Sequence, residues 1–149
     1  MKKKAFFFFF YSNWGKSCTL RKLTNNSPRI RRVTLAGNVF YIRRMSNDDH
    51  ETKLLEFVTN EINKKGNHAI IAFCPVFEAG RKSKEVLEIL KKDFDLYFFV
   101  IKHEYKGSRV VANEEIEVLM QYGKCEVLNE KIESDLRAER FTKFILANM

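Results

Sequence analysis

Residues 5–17 read Ala-Phe-Phe-Phe-Phe-Phe-Tyr-Ser-Asn-Trp-Gly-Lys-Ser. The first seven are apolar or aromatic with no polar alternation, the pattern of a strand covered on both faces. A membrane span needs roughly 20 apolar residues, so this run is too short to be one. Lys2, Lys3 and Lys4 precede it as they would in a secretory signal, but Ser12, Asn13 and Gly15 close it without a small-residue cleavage pattern. The stretch therefore predicts a buried strand, then a turn with one glycine, then a helix over residues 16–23.

Four further apolar runs follow, at residues 38–44, 68–74, 96–101 and 125–128, the last of them short. Between them lie helical patterns. Residues 49–65 place Leu54, Leu55, Val58 and Ile62 on one face, and Gly66 is a fitting stop. Residues 82–92 carry Val86, Leu87 and Leu90, and residues 113–121 carry Ile116, Leu119 and Met120. Residues 130–147 carry Ile132, Leu136, Phe141, Phe144 and Ile145. Strands alternating with helices imply βαβ units and a mostly parallel sheet of five strands flanked by helices, an α/β fold. One local departure is expected: residues 31–35 and 38–44 flank Ala36-Gly37, which reads as a β-hairpin after the first helix.

The chain has 149 residues, 45% hydrophobic and 31% charged, and no repeat or linker divides it, so a single domain over 1–149 is expected. That composition excludes a disordered chain. The formal net charge of +8 favours anionic partners, among them nucleotides, nucleic acid and phosphorylated small molecules. Cys18, Cys74 and Cys125 are scattered, with neither a disulfide framework nor metal-ligand spacing. Reduced thiols and a cytoplasmic location are the expectation.

The segment Ser12-Asn13-Trp14-Gly15-Lys16-Ser17 sits where a Walker A loop belongs, between a strand and a helix. A glycine lets backbone amides turn inward, and a helix N-terminus adds free N–H groups and partial positive charge for phosphate oxygens. In these residues the chain resembles the P-loop nucleoside triphosphatase superfamily, whose pattern is GxxxxGK[ST]. The tail Asn13-x-Gly15-Lys16-Ser17, with Leu20 in the helix, is similar to that of many GTPases and kinases. The resemblance implies a P-loop fold that binds ATP or GTP with Mg²⁺. It implies that Lys16 reaches the β- and γ-phosphates and that the Ser17 hydroxyl helps hold the metal. Cys18, in the same helical turn, closes the binding segment, with no base beside it for a catalytic thiol. Trp14 would stack on a base, cover the phosphates or pack on the last helix. The sequence departs from the pattern at Phe10, which stands in the place of the first glycine.

A P-loop enzyme also needs an acid near its metal. The third run ends at Cys74-Pro75 with no aspartate, so the candidates are Asp48 and Asp49 after the second run. Small-molecule kinases similar to adenylate or shikimate kinase place a base or metal-bridging group there. Helix N-capping is the competing use of the same residues. Arg109, in Lys106-Gly107-Ser108-Arg109 after the fourth run, is the candidate lid cation that would stabilise a transferring phosphoryl group. Arg43 and Arg44 would lie at the carboxyl edge of the sheet, where open α/β folds bind ligands. Arg137 and Arg140, one turn apart on the last helix, read as a solvated face.

Two functions follow. One is a small kinase, phosphotransferase or nucleotide hydrolase. Kinase is favoured over GTPase because neither an Asn-Lys-x-Asp nor an Asp-x-x-Gly motif occurs. The other is a degenerate, non-catalytic P-loop protein that binds nucleotide or nucleic acid through its basic surface. Neither requires a membrane.

Overall fold

The computed structural model describes residues 3–9, 20, 22–24, 32–43, 56, 68–74 and 83–149. The phenylalanine run forms β1 (Lys3–Phe9), and the remaining strands are β2 (Arg32–Leu35), β3 (Asn38–Arg43), β4 (His68–Phe73), β5 (Phe94–Ile101) and β6 (Gly123–Leu128). They make one sheet in the order β2-β3-β4-β1-β5-β6. All neighbours are parallel except β2 and β3. The expected α/β class and mostly parallel sheet are therefore present, with six strands in place of five. The extra strand is the first arm of the hairpin, which adds itself to the sheet edge. Its two-residue turn has φ of +51° at Ala36 and +79° at Gly37. Positive φ at both positions is the mirror-image turn whose twist matches paired strands.

Three α-helices are described along their whole length, α1 (Ser83–Asp93), α2 (Asn113–Met120) and α3 (Ser134–Ala147), besides a short 3-10 turn at Lys22–Thr24. Each occupies a stretch where the spacing predicts one. The face of α1 is the expected one, with Val86, Leu87 and Leu90 buried. Two positions differ. Met120 is 63% exposed because α2 ends there, and Leu136 is 45% exposed because it points away from the sheet on α3. Among the described residues no helix is long and apolar enough to cross a membrane.

β1 is the centre of the molecule. Phe6, Phe7, Phe8 and Phe9 are all fully buried. A strand's side chains alternate between faces, so the run supplies both layers at once. Phe6 and Phe8 point to the face covered by α3. Phe6 stacks on Tyr97 at 4.9 Å and meets Phe144 edge-on at 6.0 Å, and Phe8 lies 4.9 Å from Phe141. Phe7 and Phe9 point to the other face, where Phe7 stacks on Phe98 at 4.9 Å and Phe9 on Phe73 at 5.7 Å. Right-handed crossovers from β4 to β5 and from β5 to β6 run in the same direction, which puts α1 and α2 together on that face. Lys91 Nζ donates to the carbonyl of Gln121 at 3.1 Å, joining the ends of these two helices. Gly123 is required where β6 begins: a Cβ there would come within 2.0 Å of the Leu96 carbonyl oxygen.

At the amino edge the backbone N–H of Lys4 donates to Nδ1 of His68 at 2.9 Å. Lys4 Nζ donates to the carbonyl of Asn148, tying the end of α3 to the start of β1. A ring nitrogen that accepts is unprotonated, so His68 is neutral here. Burial, and then the charge of Lys4, hold its pKa below the usual 6.5.

Two outcomes follow. Phe8→Ala opens a cavity between α3 and the sheet and should cost about 3–5 kcal/mol in urea unfolding. His68 takes a proton in the unfolded chain near pH 6.5 but only at lower pH when folded. Its contribution to stability is thus complete above that pH and is lost as pH falls through the folded-state value. Between about pH 7 and pH 5 the wild-type melting temperature should fall more than that of His68→Asn, which keeps an acceptor but cannot titrate.

Candidate functional site

In a parallel sheet the strand ends and the helix starts meet at the carboxyl edge. The chain leaves β1 for the edge strand β2, steps back through β3 and β4, and then crosses β1 to β5. The winding direction reverses beside β1, and ligands of open α/β sheets bind in the crevice that such a reversal opens. β1 ends there at Phe9, in register with Phe73 of β4 and Val100 of β5. The segment that carries Ser12, Asn13, Trp14, Gly15, Lys16, Ser17 and Cys18 leaves from this point. It lies outside the described residues, as do Phe10, Asp48, Asp49 and Arg44. The structure describes what brackets it, the end of β1 before it and Leu20, helical and fully buried, after it.

The described part of the edge carries several cations. Arg43 is the last residue of β3 and is 9% exposed. Cys74, just past the end of β4, is buried. Beyond β5 the chain forms a small hairpin. Val111 N–H donates to the Lys102 carbonyl at 2.8 Å, Glu104 N–H donates to the Arg109 carbonyl at 3.0 Å, and His103 bridges to Val110. Lys131 Nζ reaches over to the Gly107 carbonyl at 2.7 Å. Arg109, the lid candidate, is thus exposed on a hydrogen-bonded hairpin rather than on an open loop. Because β5 neighbours β1, this hairpin starts next to the origin of the candidate phosphate segment.

The last helix corrects one expectation. Arg140 is exposed and lies 3.9 Å from Glu130, but Arg137 is buried, at 2% exposure. Arg137 shares its face with Phe141, Phe144 and Ile145, at spacings of four, seven and eight. That spacing was visible in the sequence, and charge alone made the residue read as surface. Burial lowers the guanidinium pKa, and Tyr105 of the hairpin partly opposes this. A guanidinium still keeps its charge. The first turn of α3 therefore places a buried cation near the hairpin. In the same turn, on the exposed side of the helix, Asp135 meets Lys22 at 2.6 Å. Among the described residues no group of three or more His, Cys, Asp or Glu is placed to hold a metal ion.

No protein-family model matches the chain, and no curated protein matches it in sequence. Among solved structures it is similar to a de novo designed PLOOP2X3_50 fold protein determined by solution NMR, with a TM-score of 0.56 and 11% identity over 97% of this chain and 92% of that one. The likeness is one of fold: the chain has a P-loop-like α/β architecture.

The two arginines of α3 should behave differently. Arg137→Ala should destabilise the protein by about 1–3 kcal/mol, through lost packing and the broken contacts of a buried charge. Arg140→Ala, one turn on and exposed, should change stability by less than about 0.5 kcal/mol. Urea midpoints of the two variants would separate these effects.

Proposed function

We propose that the protein binds a nucleoside triphosphate with Mg²⁺ at the carboxyl edge of β1, as a small P-loop phosphotransferase or nucleotide hydrolase. One observation carries the reading. Gly15-Lys16-Ser17 comes shortly after β1 in the sequence, and β1 is the central parallel strand of a P-loop-like sheet and ends beside the reversal of its winding. In this reading the amides around Asn13 and Gly15 and the amino group of Lys16 hold the β- and γ-phosphates.

Magnesium bound with a triphosphate keeps waters and phosphate oxygens as ligands and needs only one or two from the protein. Ser17 and Asp48 would supply them, and the ion would neutralise charge on the phosphates. Asp49 would orient the acceptor, a phosphorylated small molecule being one candidate. Arg109 would approach the transferred group, because positive charge stabilises that transition state. Arg43 supports the reading, as a cation held at the same edge.

The test is thermal stability with Mg-ATP and Mg-GTP, for wild type and Lys16→Ala. A ligand at about 100 times its Kd adds about 2.7 kcal/mol, a rise of roughly 5–10 °C for a chain of this size. The rise should be present in wild type and lost in the variant. No rise with either nucleotide, in a folded protein, sinks the proposal. Salt-dependent binding of nucleic acid to the basic surface would then be the next function to measure.

A further inference from the structure

We propose that two copies of this chain pair through the outer edge of β6, antiparallel and with a two-fold axis at Cys125, to form a continuous sheet. Among the described residues β6 pairs only with β5, and none of them takes up the backbone N–H and C=O groups of its other edge. Such an edge is a ready template for another strand. α3 lies over β1 and β5, as the contacts of Phe141 and Phe144 with Phe8, Phe6 and Phe99 require. The face of β6 beside it is left open as a groove of about 540 Å³, lined by Lys124, Glu126, Leu128, Arg140 and Ala147 among others.

The charges of β6 name the occupant. Its side chains alternate, so Lys124, Glu126 and Leu128 share the α3 face, while Gly123, Cys125 and Val127 share the other. A two-fold axis perpendicular to the sheet keeps each face on its own side. Residues opposite one another must then both be even-numbered or both odd-numbered, which restricts the central registers to three. An axis at Lys124 sets Lys124 against itself, and an axis at Glu126 does the same for Glu126. An axis at Cys125 sets Lys124 of each copy opposite Glu126 of the other, giving two cross-strand ion pairs. One edge is thus complementary to a second copy of itself in one register. Lys124 Nζ already donates to Asn148 Oδ1 at 2.8 Å, which holds the ammonium on the α3 face of the sheet and leaves it two further N–H groups to donate.

The six-residue edge is small, so the association should depend on concentration. Sedimentation equilibrium on the whole chain, from about 1 to several hundred micromolar, should show the mass rising from 17.6 kDa toward twice that value. Lys124→Glu and Glu126→Lys should each weaken dimerisation about tenfold or more, since each sets like charges opposite one another twice. The double variant should restore it to within about threefold of wild type. Both positions are exposed, so circular dichroism of every variant should match wild type. A monomer mass at every concentration overturns the proposal. So does a dimer indifferent to the single changes, or a double variant no better than the singles.

Discussion

The structure depends on burying one strand on both faces. β1 carries four consecutive phenylalanines that are fully buried, and alternation sends two of them into each helix layer. Fully burying such a side chain contributes about 1.5–3 kcal/mol, so this one strand commits the chain to a three-layer arrangement. A strand that is apolar on both sides needs helices above and below it and strands on either edge, which is the parallel α/β solution. β4 and β5 supply the edges. The aromatic pairs Phe7 with Phe98 and Phe6 with Tyr97 fix the register on one side, at residues directly opposite one another.

That packing has a consequence for function. A central strand locked on all sides delivers its carboxyl end to a fixed point, so whatever leaves Phe9 starts from a rigid base. The winding reverses at this point, where open α/β sheets bind their ligands, and the cations of the described edge come from four separate pieces of chain: Arg43 on β3, Arg109 on the hairpin, Lys131 after β6 and Arg137 on α3. Fold and function remain separate matters, since a P-loop-like sheet is an architecture and a phosphate site is a set of side chains on it. The case for a nucleotide stands on Gly15, Lys16 and Ser17, in the context that the sheet provides.

The two edges of the sheet are built differently. On one, the chain supplies its own closing strand through the Ala36-Gly37 turn, and β2 presents alternating exposed positions to solvent. On the other, β6 ends the sheet with one lysine and one glutamate flanking a central cysteine. Natural edges are commonly guarded by charge. A pair of opposite charges symmetric about one residue differs from a guard of one sign, because it attracts its own copy in one register and repels it in the neighbouring ones.

What the sequence determined by itself is local. An unbroken Phe run means a doubly covered strand, residues 82–92 and 113–121 repeat as helices do, and Ala36-Gly37 between two strand patterns means a hairpin. The placement of Gly15-Lys16-Ser17 after the first strand was also legible, because a motif and its flanks are contiguous. Tertiary structure decided the rest. The order β2-β3-β4-β1-β5-β6, and the reversal of winding it contains, join residues some sixty to ninety positions apart, such as Phe9 with Phe73 and Val100. The hairpin arm became a sixth strand only because β3 offered it an edge. Arg137 is buried and Met120 exposed against the ordinary preference of each residue type, because exposure depends on what lies across the helix, and that neighbour is brought by a distant part of the chain. Local pattern states which face a residue shares; packing alone states whether that face is covered.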